Sequence, residues 1–237
     1  MTEHRVVSPG EWLQARERLL AKEKELTRLR DELSQARRDL PWTRVAKPYV
    51  FDGPDGKASL AGLFDGRSQL VVYHFMFGPD WQAGCKSCSF WADNFERNVI
   101  HLQARDVTLV AISRAPVEKI EAFRKRLGWT FNWVSSGDSD FNYDFRVSFR
   151  PEELATGEVA YNYGRLKTTT MTDLTGISVF FRDTDNAVYH TYSCYGRGVE
   201  MVNAAYHFLD LVPMGRNEAD QKPGPQAWVR YRDSYGR

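Results

Sequence analysis

Cysteine is scarce in this 237-residue chain, with three in all. Two of them share one short motif, so they cannot build the disulfide framework of a small secreted domain. An excess of charge is missing too: 32 Lys and Arg stand against 31 Asp and Glu, a net charge of +1. That excludes the basic footprint of a nucleic-acid binder and the polybasic patch of a membrane-surface protein. No apolar run approaches the ~18 residues of a spanning helix. The opening residues, MTEHRVVSPGEW, lack the basic-then-apolar order of a secretory signal. The expectation is a cytoplasmic chain with reduced thiols and with no nucleic-acid or membrane partner. Internal repeats and low-complexity segments are absent. Aromatics are not scarce: 14 Phe, 11 Tyr and 7 Trp allow a sizeable core.

Cys85-Lys86-Ser87-Cys88 is the most informative motif. It follows an apolar run, Gln69–Gly78 (QLVVYHFMFG), and a loop, PDWQAG, and it opens an amphipathic segment, Ser89–Arg105. A C-x-x-C at a strand–loop–helix junction is the arrangement of a thioredoxin-type redox site. The unpaired N–H groups of a helix start favour a thiolate and lower its pKa. A second thiol one turn on can close an intramolecular disulfide or resolve a mixed one. Cys85 is the expected attacking thiol and Cys88 the resolving thiol.

Three regions divide the chain. Residues 1–41 read as an N-terminal helical arm. Ser8-Pro9-Gly10-Glu11 forms a capping box with proline at the first helical position. Trp12, Leu19, Leu26, Leu33 and Leu40 recur at a seven-residue interval, with Leu29 and Ala36 at the second seam position. This stripe suits a coiled coil, hence a homodimer through the arm, or equally a helix lying on its own domain. Residues 42–212 read as an α/β domain and residues 213–237 as an irregular tail. Tyr49–Phe51 and Lys57–Leu60 flank the turn DGPDG as a hairpin. Gln69–Phe77 and Val107–Ser113 are apolar on both faces, as parallel strands should be. With the helices at Ser89–Arg105 and Pro116–Leu127 they give β-α-β-α. Thr130–Val134 is a further strand, and residues 135–170 are loop-rich and aromatic. Ile177–Arg182 and Val188–Tyr192 form a hairpin around Asp183–Asn186, and Gly198–Leu211 a closing helix. The order is that of a thioredoxin-like fold, with a peroxiredoxin-like front end.

The segments FMFGPDWQAGCKSCSFWAD, SRAPVEKIEAFRKRLGWTFNWVSS, DFNYDF, VYHTYS and RGVEMVNAAYHFLDLVPMGR, with the arm WLQARERLLAKEKEL, resemble the thioredoxin-like family catalogued as domain of unknown function 899. The resemblance covers nearly the whole chain. It implies a thioredoxin-like domain acting as a dithiol–disulfide oxidoreductase, and it names no substrate. Trp81 holds the place of the tryptophan that precedes many thioredoxin motifs and is a candidate pocket residue. Two departures stand out. Thr175-Gly176-Ile177-Ser178 occupies the stretch where thioredoxins carry a cis-proline. Pro79 and Gln82 do not match the proline and threonine that precede a peroxidatic cysteine.

Other polar residues are weaker candidates. His74 on its strand reads as a core histidine, Cys194 as a small buried thiol, Asp93 as a surface or capping carboxylate, and Arg114 as a surface arginine. The leading function is a thiol–disulfide oxidoreductase taking a disulfide or oxidised-sulfur substrate and an external reductant. An alternative keeps the fold and makes Cys85, Cys88 and His190 a soft site for copper, or for zinc with a fourth ligand, in a metal carrier or a metal-dependent oxidase. A third possibility is a scaffold in which the arm is the working part.

Overall fold

The computed structural model describes residues 4–168 and 170–236. It divides into two compact units, Met1–Pro41 and Trp42–Arg237.

The first unit is a single helix, α1, Pro9–Arg38. The Ser8 hydroxyl accepts from the Glu11 N–H at 3.3 Å, and the Glu11 carboxylate accepts from the Ser8 N–H at 3.0 Å. Two orphan donors are thereby satisfied, and Pro9 needs none. Arg37 and Arg38 lie in the last turn, where cations favour the carbonyl end. No α1 residue is buried.

The second unit opens with strands β1 (Thr43–Arg44), β2 (Val50–Gly53), β3 (Gly56–Ser59) and β4 (Gln69–His74). Helices α2 (Lys86–Ala92) and α3 (Val99–Gln103) lead to β5 (Val107–Ser113), α4 (Val117–Leu127) and β6 (Asn132–Ser135). Short helices α5 (Phe141–Asp144) and α6 (Pro151–Ala155) precede a separate hairpin, β7 (Glu158–Tyr161) and β8 (Gly164–Lys167). Strands β9 (Gly176–Arg182) and β10 (Val188–Tyr195) follow, then a 3-10 segment, Gly196–Val202, and α7 (Ala204–Leu209). The main sheet has the order β1-β10-β9-β4-β5-β6-β2-β3. Strands β4, β5 and β6 are parallel, while β9 is antiparallel to β4 and β10 to β9. The four strands β5-β4-β9-β10, with the motif leaving β4, make the core of a thioredoxin-like fold.

Strand alternation sorts the side chains onto two faces. Val71, Tyr73 and Phe75 join Leu109 and Ala111 in one cluster, with Cys88 and Trp91 of α2 and Ile120 and Phe123 of α4. Leu70, Val72, Val110 and Ile112 point to the other cluster, with Phe51, Phe64 and Phe141. Each wholly buried aromatic stabilises the fold by about 1.5–3 kcal/mol relative to exposure.

Two expected helices are interrupted. Ser89–Arg105 becomes α2 and α3, and α2 already begins at Lys86. Between them the Asn94 side-chain amide donates to the Phe90 carbonyl at 2.8 Å, and that of Asn98 to the Asn94 carbonyl at 2.6 Å. Such side-chain bonds compete with the helical ladder. The closing helix likewise breaks at Asn203, whose side chain accepts from the Tyr206 N–H at 3.2 Å and caps α7. Among the described residues no helix is long and apolar enough to cross a membrane.

Candidate active site

Cys85 is the N-cap of α2. Its N–H donates to the Met76 carbonyl at 2.9 Å, and its carbonyl accepts from the Ser89 N–H and hydroxyl, both at 2.9 Å. The loop from β4 can settle there because residue 84 is glycine. A Cβ at Gly84 would lie 2.7 Å from the Phe75 ring and 2.9 Å from that of Phe123. The Gly84 carbonyl accepts from the Tyr231 hydroxyl at 2.7 Å, so the C-terminal tail ties down the residue before the motif. Lys86 lies over the Tyr231 ring, 5.9 Å from its centroid.

The two sulfurs differ in setting. Cys85 is half-buried and Cys88 is buried; neither is in a disulfide. The Cys85 thiol is lowered to about 6. The hydrogen bond with the Cys88 side chain is the largest cause; burial opposes it, and the N–H groups of Cys88 and Ser87 and the Ser87 hydroxyl add to it. Cys88 is pushed well up, first by burial and then by its bond and charge interaction with Cys85. Its sulfur accepts from the Met76 N–H at 3.5 Å. The arrangement sets a partly exposed, lowered thiol in front of a buried, raised one.

A cavity of about 240 Å³ reaches Cys88, with Met76, Trp91, Thr175, Arg197 and Gln226 among its walls. Tyr73 lies against it, its phenol pushed well up, first by burial and then by the charge interaction with Cys88. Thr175 takes the place expected for a cis-proline. Its hydroxyl donates to the His74 carbonyl at 3.2 Å, and its carbonyl accepts from the Tyr161 hydroxyl at 2.6 Å. The same Tyr161 oxygen accepts from the Gly196 N–H at 2.8 Å. The segment facing the dithiol is therefore held by side-chain bonds. A larger apolar cavity, about 340 Å³, also touches Tyr73, but no cysteine lines it.

The remaining sequence candidates lie elsewhere. His190 is not brought to the cysteines: it lies against Phe145 and Phe180, whereas Cys88 belongs to the cluster on the opposite face. Its Nε2 bonds Ser193 Oγ at 2.7 Å, Ser193 Oγ bonds Ser178 Oγ at 2.8 Å, and Ser178 Oγ bonds His74 Nε2 at 2.8 Å. Burial pushes His74 down to about 3 and lowers His190 as well. Among the described residues no group of three or more His, Cys, Asp or Glu is placed to hold a metal ion. The Trp81 indole lies over Gly78 and is not among the cavity walls, so it anchors the loop. Asp93 accepts from Trp129 Nε1 at 2.8 Å. Arg114 is not a surface residue: it is paired with Asp173 through two bonds of 2.8 and 2.7 Å. Cys194 is buried in the same cluster as Cys88.

Tyr73 and Tyr161 are the site residues that a reading of the sequence misses. A signal existed for Tyr73, since alternation along β4 puts it opposite Val72 and His74, on the face that the motif helix covers. Nothing local marks Tyr161 or Tyr231, which come from a distant hairpin and the tail.

The lowered Cys85 thiol fixes a pH dependence. Its thiolate fraction falls as pH drops through about 6, whereas an ordinary cysteine loses its thiolate near ~8.5. Limiting iodoacetamide at neutral pH is expected to label Cys85 before Cys88, with a rate midpoint near pH 6. Peptide mass spectrometry reads the order; equal labelling of the two would remove the assignment.

Comparison with known proteins places the chain. A family model described as "Bacterial protein of unknown function (DUF899)" matches residues 1–235. No curated protein matches. Similar solved structures include peroxiredoxin Q of Xanthomonas campestris, at 14% identity, TM-score 0.48, with 70% of this chain and 96% of that one covered. Peroxidoxin BcpB of Mycobacterium tuberculosis is another, at 16% identity, TM-score 0.47, with 70% and 94% covered. At this distance the likeness says nothing of the chemistry.

Proposed function

The chain belongs to the DUF899 family, and we propose that it is a thiol–disulfide oxidoreductase working through Cys85 and Cys88. The observation that supports this reading is the split between the two sulfurs: Cys85 is half-buried with its thiol lowered to about 6, and Cys88 is buried behind it. The Cys85 thiolate attacks one sulfur of a substrate disulfide. A Cys85–substrate disulfide forms as the first substrate thiolate leaves. The Cys88 sulfur then attacks Cys85 Sγ, giving the Cys85–Cys88 disulfide and releasing the second substrate thiol, to which the Cys88 proton passes. The substrate disulfide has gained two electrons and the protein dithiol has lost two. An external dithiol reductant returns them, which places the protein in a reducing compartment such as the cytoplasm.

A copper carrier is the weaker proposal, because it requires His190 to cross the sheet to reach the sulfurs. One substitution separates the readings. His190→Ala is expected to leave turnover of a small disulfide within a few-fold, since neither exchange step uses an imidazole. In a copper site the same change removes a ligand and abolishes tight Cu(I) binding, measured by competition with a chromophoric chelator. Wild-type protein that binds Cu(I) tightly, loses it in the His190 variant, and turns over no disulfide would overturn the oxidoreductase reading.

A further inference from the structure

Helix α1 carries a face that the dithiol chemistry leaves unused. Trp12, Leu19, Leu26 and Leu33 fall on one heptad position, a, and keep 50–59% of their surface exposed. Ala15, Lys22, Leu29 and Ala36 fall on d, and Lys22 is the one charged side chain on this seam. An apolar stripe of this length on a 30-residue helix calls for a partner.

The flanking charges identify that partner. The g positions are Glu11, Arg18, Glu25 and Glu32; the e positions are Arg16, Glu23, Arg30 and Arg37. In a parallel, in-register pair each g side chain faces the e side chain of the next heptad across the seam. The facing pairs are then Glu11 with Arg16, Arg18 with Glu23, Glu25 with Arg30, and Glu32 with Arg37. All four are of opposite sign, including the one in which the order of signs is reversed. An antiparallel pair that seats Leu26 against Leu29 brings Arg16 to Arg37 and Glu25 to Glu32, like charge against like, and within α1 sets only Glu23 with Arg30 at opposite sign. Within the single chain Arg16 bonds Glu23 along the same edge at 2.8 Å, both half-exposed.

We propose that α1 pairs with the α1 of a second copy of this chain as a parallel, in-register coiled coil. The inference stands on α1 alone and is independent of the dithiol reading.

Charge reversal on the full chain tests it. Wild-type protein is expected to sediment as a dimer at neutral pH and moderate salt. Glu25→Arg with Glu32→Arg is expected to raise the dimer dissociation constant about tenfold to a hundredfold, since attractive pairs become repulsive on both sides of the seam. Arg30→Glu with Arg37→Glu should do the same. An equimolar mixture of the two variants should recover the dimer, because every altered pair is again of opposite sign. Leu19→Cys, in a background with the three native cysteines replaced by serine, should oxidise to a linked dimer, as the two copies of position 19 meet only in the parallel register. A wild-type monomer at every concentration overturns the proposal. So does a dimer indifferent to charge reversal, a mixture that stays monomeric, or a Leu19→Cys protein that does not cross-link.

Discussion

Cys85→Ser is expected to react with a chromogenic aryl disulfide at least about a hundredfold more slowly than wild type, since a serine hydroxyl is not ionised near neutrality and the remaining motif thiol is buried. Cys88→Ser is expected to behave differently. It should release one equivalent of coloured thiolate, at an initial rate close to wild type only above the raised Cys85 midpoint and slower than wild type below it, and then stop as a mixed disulfide on Cys85. Wild-type protein releases the second equivalent when Cys88 displaces it. The asymmetry follows from the site. Cys85 is lowered to about 6 by the Cys88 side chain and by the first N–H groups of α2. Cys88 is raised by burial and by its neighbour, and so ionises only as the reaction proceeds. Loss of the Cys88 side chain also removes the largest contribution to the Cys85 shift, so the midpoint of the first phase should move to higher pH in Cys88→Ser. Stopped-flow absorbance with a Cys194→Ser background reads both phases. A Cys85→Ser protein as reactive as wild type would show that the attacking sulfur lies elsewhere.

The part of this site that was legible in the sequence is the part made by neighbours in the chain. The run Gln69–Gly78, the glycine at position 84 and the motif after it specify strand, close approach and helix start in order, and β4 and α2 follow. The hairpin of β9 and β10 was equally legible, since alternation and the Asp183–Asn186 turn are local signals. The interruptions were less so. Hydrophobic spacing continues from Phe90 to Leu102, but the amides of Asn94 and Asn98 take up carbonyls that a continuous helix would use. What the sequence could not show is convergence. Tyr161 reaches Thr175, Tyr231 reaches Gly84, and His190 turns through Ser193 and Ser178 toward His74. Each contact depends on the closure of the sheet and not on spacing. The copper alternative is left without its histidine near the sulfurs for this reason: His190 packs on Phe145 and Phe180, on the face of the sheet away from Cys88.

Arg114 shows the same limit with an energetic consequence. After an apolar strand it reads as a surface residue. In the fold its side chain is only 12% exposed and that of Asp173 4%. The Asp173 carboxylate accepts from Arg114 Nε and Nη2, from Ser148 Oγ at 2.7 Å and from Thr172 Oγ1 at 2.8 Å, while Arg114 Nη1 donates to the Tyr143 hydroxyl at 2.8 Å. Every oxygen of this carboxylate is in use. Asp173→Ala is therefore expected to destabilise the protein by about 3–5 kcal/mol, because it strands a buried guanidinium and leaves the Ser148 and Thr172 hydroxyls without their acceptor. For a unit of this size that lowers Tm by roughly 6–20 °C. The double variant Arg114→Leu with Asp173→Leu should cost less than Asp173→Ala alone, since no charge is then left unpaired. Denaturant unfolding of the three proteins measures both differences. If Asp173→Ala costs less than about 1 kcal/mol, the range of an exposed pair, the ion pair is not the buried structural element described. The pH midpoint for Cys85 alkylation should be the same in Asp173→Ala and wild type, because the bonds that lower Cys85 come from Cys88 and Ser87 and not from Arg114.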